Sequence, residues 1–252
     1  MAESTLHTAA VWVEIGFAGA AFLALLFVTA PYGRHQRSGW GPTIPSRLGW
    51  VLMESPSVVL FAAVYALGDH AWQAAPLVLG SMWLFHYIHR TLVFPFRLRE
   101  KGKRIPLVIA GMAFVFNVLN VYVVARWISH FGEYGTSWLW DPRFLIGALV
   151  FAVGSGINHR ADTTLIALRK PGETGYTIPR GWLFDRVTSP NYLGEIVEWF
   201  GYAIATWSLA GLAFAVFTAA NIGPRAFANR RWYRETFPDY PADRKALIPF
   251  VW

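Results

Sequence analysis

Long apolar runs separated by short polar stretches set the pattern of this chain. Crossing about 30 Å of hydrocarbon takes a helix of about 20 mostly apolar residues. Residues 9–30 form the first such run, interrupted only by Glu14 and closed by Pro31. Runs at 48–67, 74–96, 106–128 and 144–168 follow; Glu54 lies inside the second, and His86, His89 and Arg90 lie near the end of the third. The apolar stretch after Tyr192 is too long for one crossing and divides around Thr206–Ser208, giving tight spans at 191–205 and 207–222. The pattern predicts an all-α polytopic membrane protein with seven transmembrane helices, in a single domain over 1–252.

Basic residues orient the array. Segments 31–47, 97–104, 159–189 and 223–252 hold 19 of the 22 Lys and Arg residues, whereas connections 68–73 and 129–142 hold none. The excess of Lys and Arg on cytoplasmic loops places the N-terminus outside and the C-terminus in the cytoplasm, which requires an odd number of spans. The net charge of +7 is thereby explained as topology, so nucleic acid is not an expected partner. No obligate protein partner is evident. Composition agrees with a bilayer as solvent: 55% hydrophobic, 15% charged, and 13 Trp, a residue that favours the membrane–water interface. With no cysteine, thiolate metal sites, iron–sulfur clusters and thiol nucleophiles are excluded. The first residues carry Glu3 and no Lys or Arg before a long apolar run, so the N-terminus does not read as a signal peptide.

Ionisable side chains inside spans are costly and mark candidate sites. Glu54 and Tyr87 fall on neighbouring antiparallel helices. They read either as a structural interhelical hydrogen bond or as paired donors to a substrate oxygen. His86, His89 and Arg90 share a helix face at i, i+3, i+4. No third metal ligand stands nearby, so a metal is not expected, and interfacial anchoring or contact with an anionic or carbonyl ligand remains. The stretch 97–104 reads as a solvated turn. Over 154–252 lie Asn158, Asp162, Arg169, Tyr176, Asn191, Glu195, Arg225, Tyr233 and Arg244 around a Pro/Gly-bearing loop. Guanidinium groups suit phosphates, and amides and carboxylates suit ribose and base edges. This is raw material for a dinucleotide pocket, although a basic loop with aromatic anchors would look similar. No G-x-G-x-x-G follows a strand, so no Rossmann domain is expected.

Several strings resemble the steroid 5α-reductase family: Gly156-Ile-Asn158, Leu168-Arg-Lys-Pro-Gly-Glu173, Tyr176-Thr-Ile-Pro179, Asn191-Tyr-Leu-Gly-Glu195, Glu198-Trp-Phe-Gly-Tyr202 and Asp239-Tyr-Pro241. Upstream, Tyr32-Gly-Arg-His35, Glu54-Ser-Pro56 and His86-Tyr-Ile-His-Arg-Thr91 resemble it too. The resemblance implies a membrane enzyme that uses NADPH to reduce the C4–C5 double bond of a 3-oxo-Δ4 steroid reaching it from the bilayer. It implies that Glu54 and Tyr87 hold the 3-oxo group. It also implies that the cofactor meets Asn158, Asp162, Arg169, Tyr176, Asn191, Glu195, Arg225, Tyr233 and Arg244, with Arg90 nearby and Arg169 or Lys170 reading the 2′-phosphate. Met53 and Asn229 depart from the mammalian pattern of Gln and His. Related enoyl or sterol reductases, a membrane methyltransferase using S-adenosylmethionine and a non-catalytic sterol-binding protein are the alternatives. The expected location is the inner membrane of a bacterium or the endoplasmic reticulum of a eukaryote.

Overall fold

The computed structural model describes residues 2–99, 102–169 and 175–251. Nine α-helices dominate them: α1 (Glu3–Phe27), α2 (Ser46–Glu54), α3 (Val59–Ala66), α4 (Ala74–Ile88), α5 (Phe94–Arg97), α6 (Leu107–Arg126), α7 (Pro142–Ala167), α8 (Pro190–Thr206) and α9 (Leu209–Thr236). A two-stranded antiparallel ladder, β1 (Thr43–Pro45) with β2 (Arg104–Pro106), ties the loop after α1 to the loop before α6. It is a small departure from the all-α expectation.

Five helical segments are long and apolar enough to cross a membrane: α1, Ser46–Ala66, Leu107–Phe131, α7 and α9. The third and sixth expected spans are helical but fall outside that set. The end of α4 and its continuation carry His86, Tyr87, His89 and Arg90, and α8 has 17 residues with Glu195 and Glu198 among them. Their polar groups turn inward. The last helix runs 14 residues past the expected end at 222, with Pro224 inside it. Arg225 does not stop it, because its guanidinium lies against Tyr32 and Tyr192 rather than in solvent.

Prolines shape the second and third crossings. Pro56 has no N–H for the carbonyl of Leu52 and crowds it. α2 therefore passes through a tight turn at Ser55–Ser57 before α3, and Ser55 Oγ donates to that carbonyl at 3.1 Å. Pro95 does the same to Thr91, and the helix widens into a π turn over His89–Val93, with Phe94 N–H donating to His89 O. Between α8 and α9, Trp207 adopts a left-handed conformation (φ 43°) and Ser208 caps α9 by accepting from Gly211 N at 2.9 Å. Asp141 caps α7. Hydrogen bonds from the Arg143 side chain and backbone hold its carboxyl down at about 2.

The tightest helix pair is α7 with α8. Gly147 and Gly154 on one helix and Gly194 and Gly201 on the other recur at seven-residue spacing, and a Cβ on any of them would run into backbone across the contact. Small residues let helices approach closely in a bilayer, where lipid tails are as apolar as leucine. The core beside this pair is aromatic. Trp83 stacks on Phe61 at 5.0 Å and meets Tyr87, Trp199, Tyr202 and Phe214 within 6.1 Å. Arg126 closes the opposite end by pairing with Glu3 at 2.8 and 3.0 Å and donating to Leu67 O.

A cation-lined cavity at the basic end

The helix ends that carry the basic loops surround a cavity of about 330 Å³, within the ~300–1,000 Å³ range of small-molecule sites. The loop after α1, α2, the π turn, the end of α7, the start of α8 and the C-terminal half of α9 all contribute walls. Glu54, the last residue of α2, lines the inner part. It lies about 12 Å along the helix from Ser46, at 1.5 Å per residue. Asn117 Nδ2 donates to Met53 O at 2.7 Å and to Glu54 Oε2 at 3.3 Å, so α6 fixes the carboxyl's direction. Thr91 Oγ1 donates to Glu54 O at 3.3 Å, joining the π turn to α2.

Arg90 occupies the centre of a buried network. It pairs with Asp162 at 3.2 Å and with Glu195 at 3.7 Å, and its guanidinium lies over Trp50 and Phe94 at 4.8 and 4.6 Å. Asn191 Nδ2 donates to Asp162 Oδ1 at 3.1 Å. Asn158 Nδ2 donates to Asn191 O at 3.0 Å and to Glu195 Oε2 at 3.4 Å. The widened turn aims Arg90 inward between α7 and α8, so the ion pairs are desolvated together with hydrogen-bond partners.

Of the candidate residues, Glu54, Arg90, Asp162, Arg169, Tyr176, Asn191, Glu195, Arg225 and Tyr233 line the cavity. Tyr87, Asn158 and Arg244 do not. Tyr87 is buried one helical turn before Thr91, packed on Trp83 and Trp199. Asn158 acts on the wall through Asn191 and Glu195. Arg244 is 1% exposed, donates to Pro179 O at 3.1 Å and lies over Tyr240, which stacks on Tyr233. Lys170, the alternative to Arg169, lies outside the described residues.

Arg34, His35, Lys103 and Asn229 are further wall residues, and of these the sequence pointed only to Asn229, as a departure from the family's His. Arg34 lies among the rings of Tyr176, Trp232 and Tyr233, 4.6–5.5 Å away, and its buried Nη1 has no hydrogen-bond partner among the described residues. His35 Nε2 and Asn229 Oδ1 are 3.2 Å apart. Burial, offset in part by the bond to Asn229 and reinforced by Arg34, holds the imidazole's pKa down. The His35 ring is therefore neutral near pH 7. Lys103 donates to Tyr176 OH at 2.5 Å, so the stretch 97–104, expected as a solvated turn, supplies part of the wall. The string Tyr32-Gly-Arg-His35 was the available signal for the first two. No local signal links His35 with Asn229, 194 residues away.

Fold and cavity together define a helical membrane protein whose basic end holds an anion-receptive cleft beside the half-buried Glu54 carboxyl. The family model described as 3-oxo-5-alpha-steroid 4-dehydrogenase matches residues 103–252. Steroid 5-alpha-reductase DET2 of Gossypium hirsutum is 49% identical over 236 residues, covering 92% of each chain. The protein of the same name from Arabidopsis thaliana is 46% identical, covering 94% of this chain and 93% of its own. The 3-oxo-5-alpha-steroid 4-dehydrogenase 1 of Bos taurus is 42% identical and covers 100% of this chain and 99% of its own. The chain belongs to the steroid 5α-reductase family of membrane oxidoreductases, which act on CH–CH groups.

Proposed function

We propose that this protein reduces the C4–C5 double bond of 3-oxo-Δ4 steroids with NADPH. The observation that carries the proposal is one cavity with cations at Arg34, Lys103, Arg169 and Arg225 and the Glu54 carboxyl on its inner wall. A phosphate-bearing dinucleotide fits that donor set. The buried, unpartnered Nη1 of Arg34 is a group that an anion would satisfy. Arg169 and Tyr176 beside it are placed for the adenosine end, Arg225 and Tyr233 for the phosphates, and Asn191, Asp162 and Glu195 for hydroxyl and amide groups. Asn158, Arg90 and Arg244 hold those walls in place.

NADPH, when bound, supplies the hydride that C5 of the steroid accepts. Charge then develops on the steroid's 3-oxygen, and uptake of one solvent-derived proton at C4 completes the reduction. Glu54 in its acid form and the Tyr87 phenol donate hydrogen bonds to that oxygen, and such bonds strengthen as the charge develops. Asn117 orients Glu54, while Trp83 and Trp199 fix the Tyr87 ring and keep water away. An apolar substrate reaches these groups from the bilayer side, between helices.

In this reading the chain is one membrane-embedded domain with seven crossings. Besides the five long apolar segments, α4 with its extension and α8 cross as inner helices lined by the site's own polar groups. The basic loops lie in the cytoplasm, where NADPH is available, and the N-terminus lies outside. The host membrane is the inner membrane of a bacterium or the endoplasmic reticulum of a eukaryote.

The test uses detergent-purified protein with progesterone or testosterone and NADPH deuterated at C4 of the nicotinamide. The expected product has gained two hydrogens, one of them deuterium at C5. Glu54→Gln and Tyr87→Phe each lower the rate by about 10²-fold, with NADPH binding unchanged in titrations. NADPH binding without turnover would shift the substrate to another enone. Loss of NADPH binding in either variant would remove both residues from the substrate role. Methyl transfer from S-adenosylmethionine in place of reduction would overturn the proposal.

A further inference from the structure

A second pocket of about 460 Å³ lies outside the cleft, where the β1–β2 ladder meets α2 and the segment after the π turn. Its polar wall is cationic: Arg47, Lys103 and Arg104 line it, and no carboxylate does among the described residues. Arg47 lines the pocket, uses Nε to donate to Pro95 O at 3.3 Å and lays its guanidinium over Phe96 at 5.2 Å. Arg104 is clamped to Thr43 through Nε at 2.7 Å and Nη2 at 2.6 Å, so its charge is held in place by the ladder. Ser46 adds a hydroxyl, and Pro45, Leu48, Pro95, Leu98 and Gly102 complete the wall. Leu48 is 48% exposed and Phe96 is 58% exposed, and both continue outward along the surfaces of α2 and α5.

Fixed cations above exposed apolar side chains, at the basic end of membrane helices, match an amphiphile with an anionic head and hydrocarbon tails. A soluble metabolite would have no use for Leu48 and Phe96, and a neutral lipid none for Arg47 and Arg104. Basic pockets between membrane helices hold phosphate headgroups, and each Lys or Arg adds an increment of attraction to the anionic leaflet. We infer that this pocket binds the phosphodiester headgroup of an anionic phospholipid, with its acyl chains along α2 and α5. The site rests on the chain's lying in a membrane and does not depend on the reductase reading. It shares Ser46, Leu98, Lys103 and Arg104 with the cation-lined cleft, so one wall separates the lipid head from the cofactor cavity.

The experiment compares the full chain in nanodiscs of phosphatidylcholine with nanodiscs containing phosphatidylglycerol. Native mass spectrometry counts retained lipids and a thermal melt reports stability. Retention of one phosphatidylglycerol against a phosphatidylcholine background, with a higher melting temperature, is expected. Arg47→Gln should weaken that preference by about fivefold, and Arg47→Lys should keep most of it. The melting temperature in phosphatidylcholine alone serves as the check on folding of both variants. Equal retention of the two lipids, or a preference unaltered in Arg47→Gln, overturns the site. Stabilisation by millimolar inorganic phosphate equal to that by the lipid makes it a free-phosphate site. Displacement of the lipid by saturating NADPH makes it part of the cofactor cavity.

Discussion

Glu14 is fully buried in α1, and neither of its carboxyl oxygens has a hydrogen-bond partner among the described residues. It belongs to the stripe His7, Ala10, Val11, Glu14 and Ala18 that α1 turns inward. A buried polar group without a partner costs about 1–3 kcal/mol by mutational measures. Glu14→Leu is therefore expected to raise the stability of the purified protein by about that amount, read as a higher melting temperature in detergent. A fall in stability, or a lost reductase rate at unchanged stability, would show that the carboxyl has work to do. In the sequence Glu14 was only an interruption of the first apolar run. Glu54 and Arg90 were legible as ionisable groups inside spans, and the structure places both on the cavity wall. Arg34 was not, because an arginine in a basic loop carries no local sign that three aromatic rings from distant segments will enclose it.

At the scale of elements, apolar length located the helices and most of their ends to within a few residues, the start of α1 and the end of α9 excepted. The break at Trp207–Ser208 was legible because one run was too long for one crossing. The apolar pattern gave a crossing that ends at 222, and the helix itself runs on past Arg225 to Thr236. It continues because neighbouring aromatic rings accept Arg225. The π turn at His89–Val93 could not be read from periodicity, which still put His86, His89 and Arg90 on one face. Helix pairing was equally hidden, although the seven-residue recurrence of glycines in α7 and α8 is its trace. Gly154→Leu forces a side chain into the backbone of Glu198 and separates the two helices that hold Asp162, Asn158 and Glu195. The expected loss is about 1–3 kcal/mol or more, with weakened NADPH binding in parallel. Gly156→Leu, where nothing lies within 4 Å of the added carbon, should leave both unchanged and provides the control.

At the scale of the whole molecule, the absence of cysteine permits a direct test of orientation. Single cysteines placed at the exposed positions Ser38 and Thr136 sit in connections of opposite sign. In intact cells, a membrane-impermeant maleimide should label Thr136→Cys and spare Ser38→Cys until the membrane is opened. The reverse pattern would invert the topology, and labelling of both would require a different number of crossings. Charge counts made this prediction possible from sequence, because insertion responds to loops near the span ends. The cavity was less legible as a unit, since it is assembled from segments at both ends of the chain.

That assembly has a consequence for how the protein is made. Tyr32, Arg34 and His35 leave the ribosome early, yet the wall they complete includes Asn229 and Tyr233 on α9. The inward stripe of α1 also packs mainly against α9, whose first residue follows the end of α1 by about 180 positions. At ~5–20 residues per second, the first helix waits on the order of ten to forty seconds in the bilayer for its partner. During that interval its carboxyl at position 14 faces lipid or the insertion machinery rather than protein. Formation of the site thus waits for α9, and a chain stalled before it would have membrane helices in place but no site.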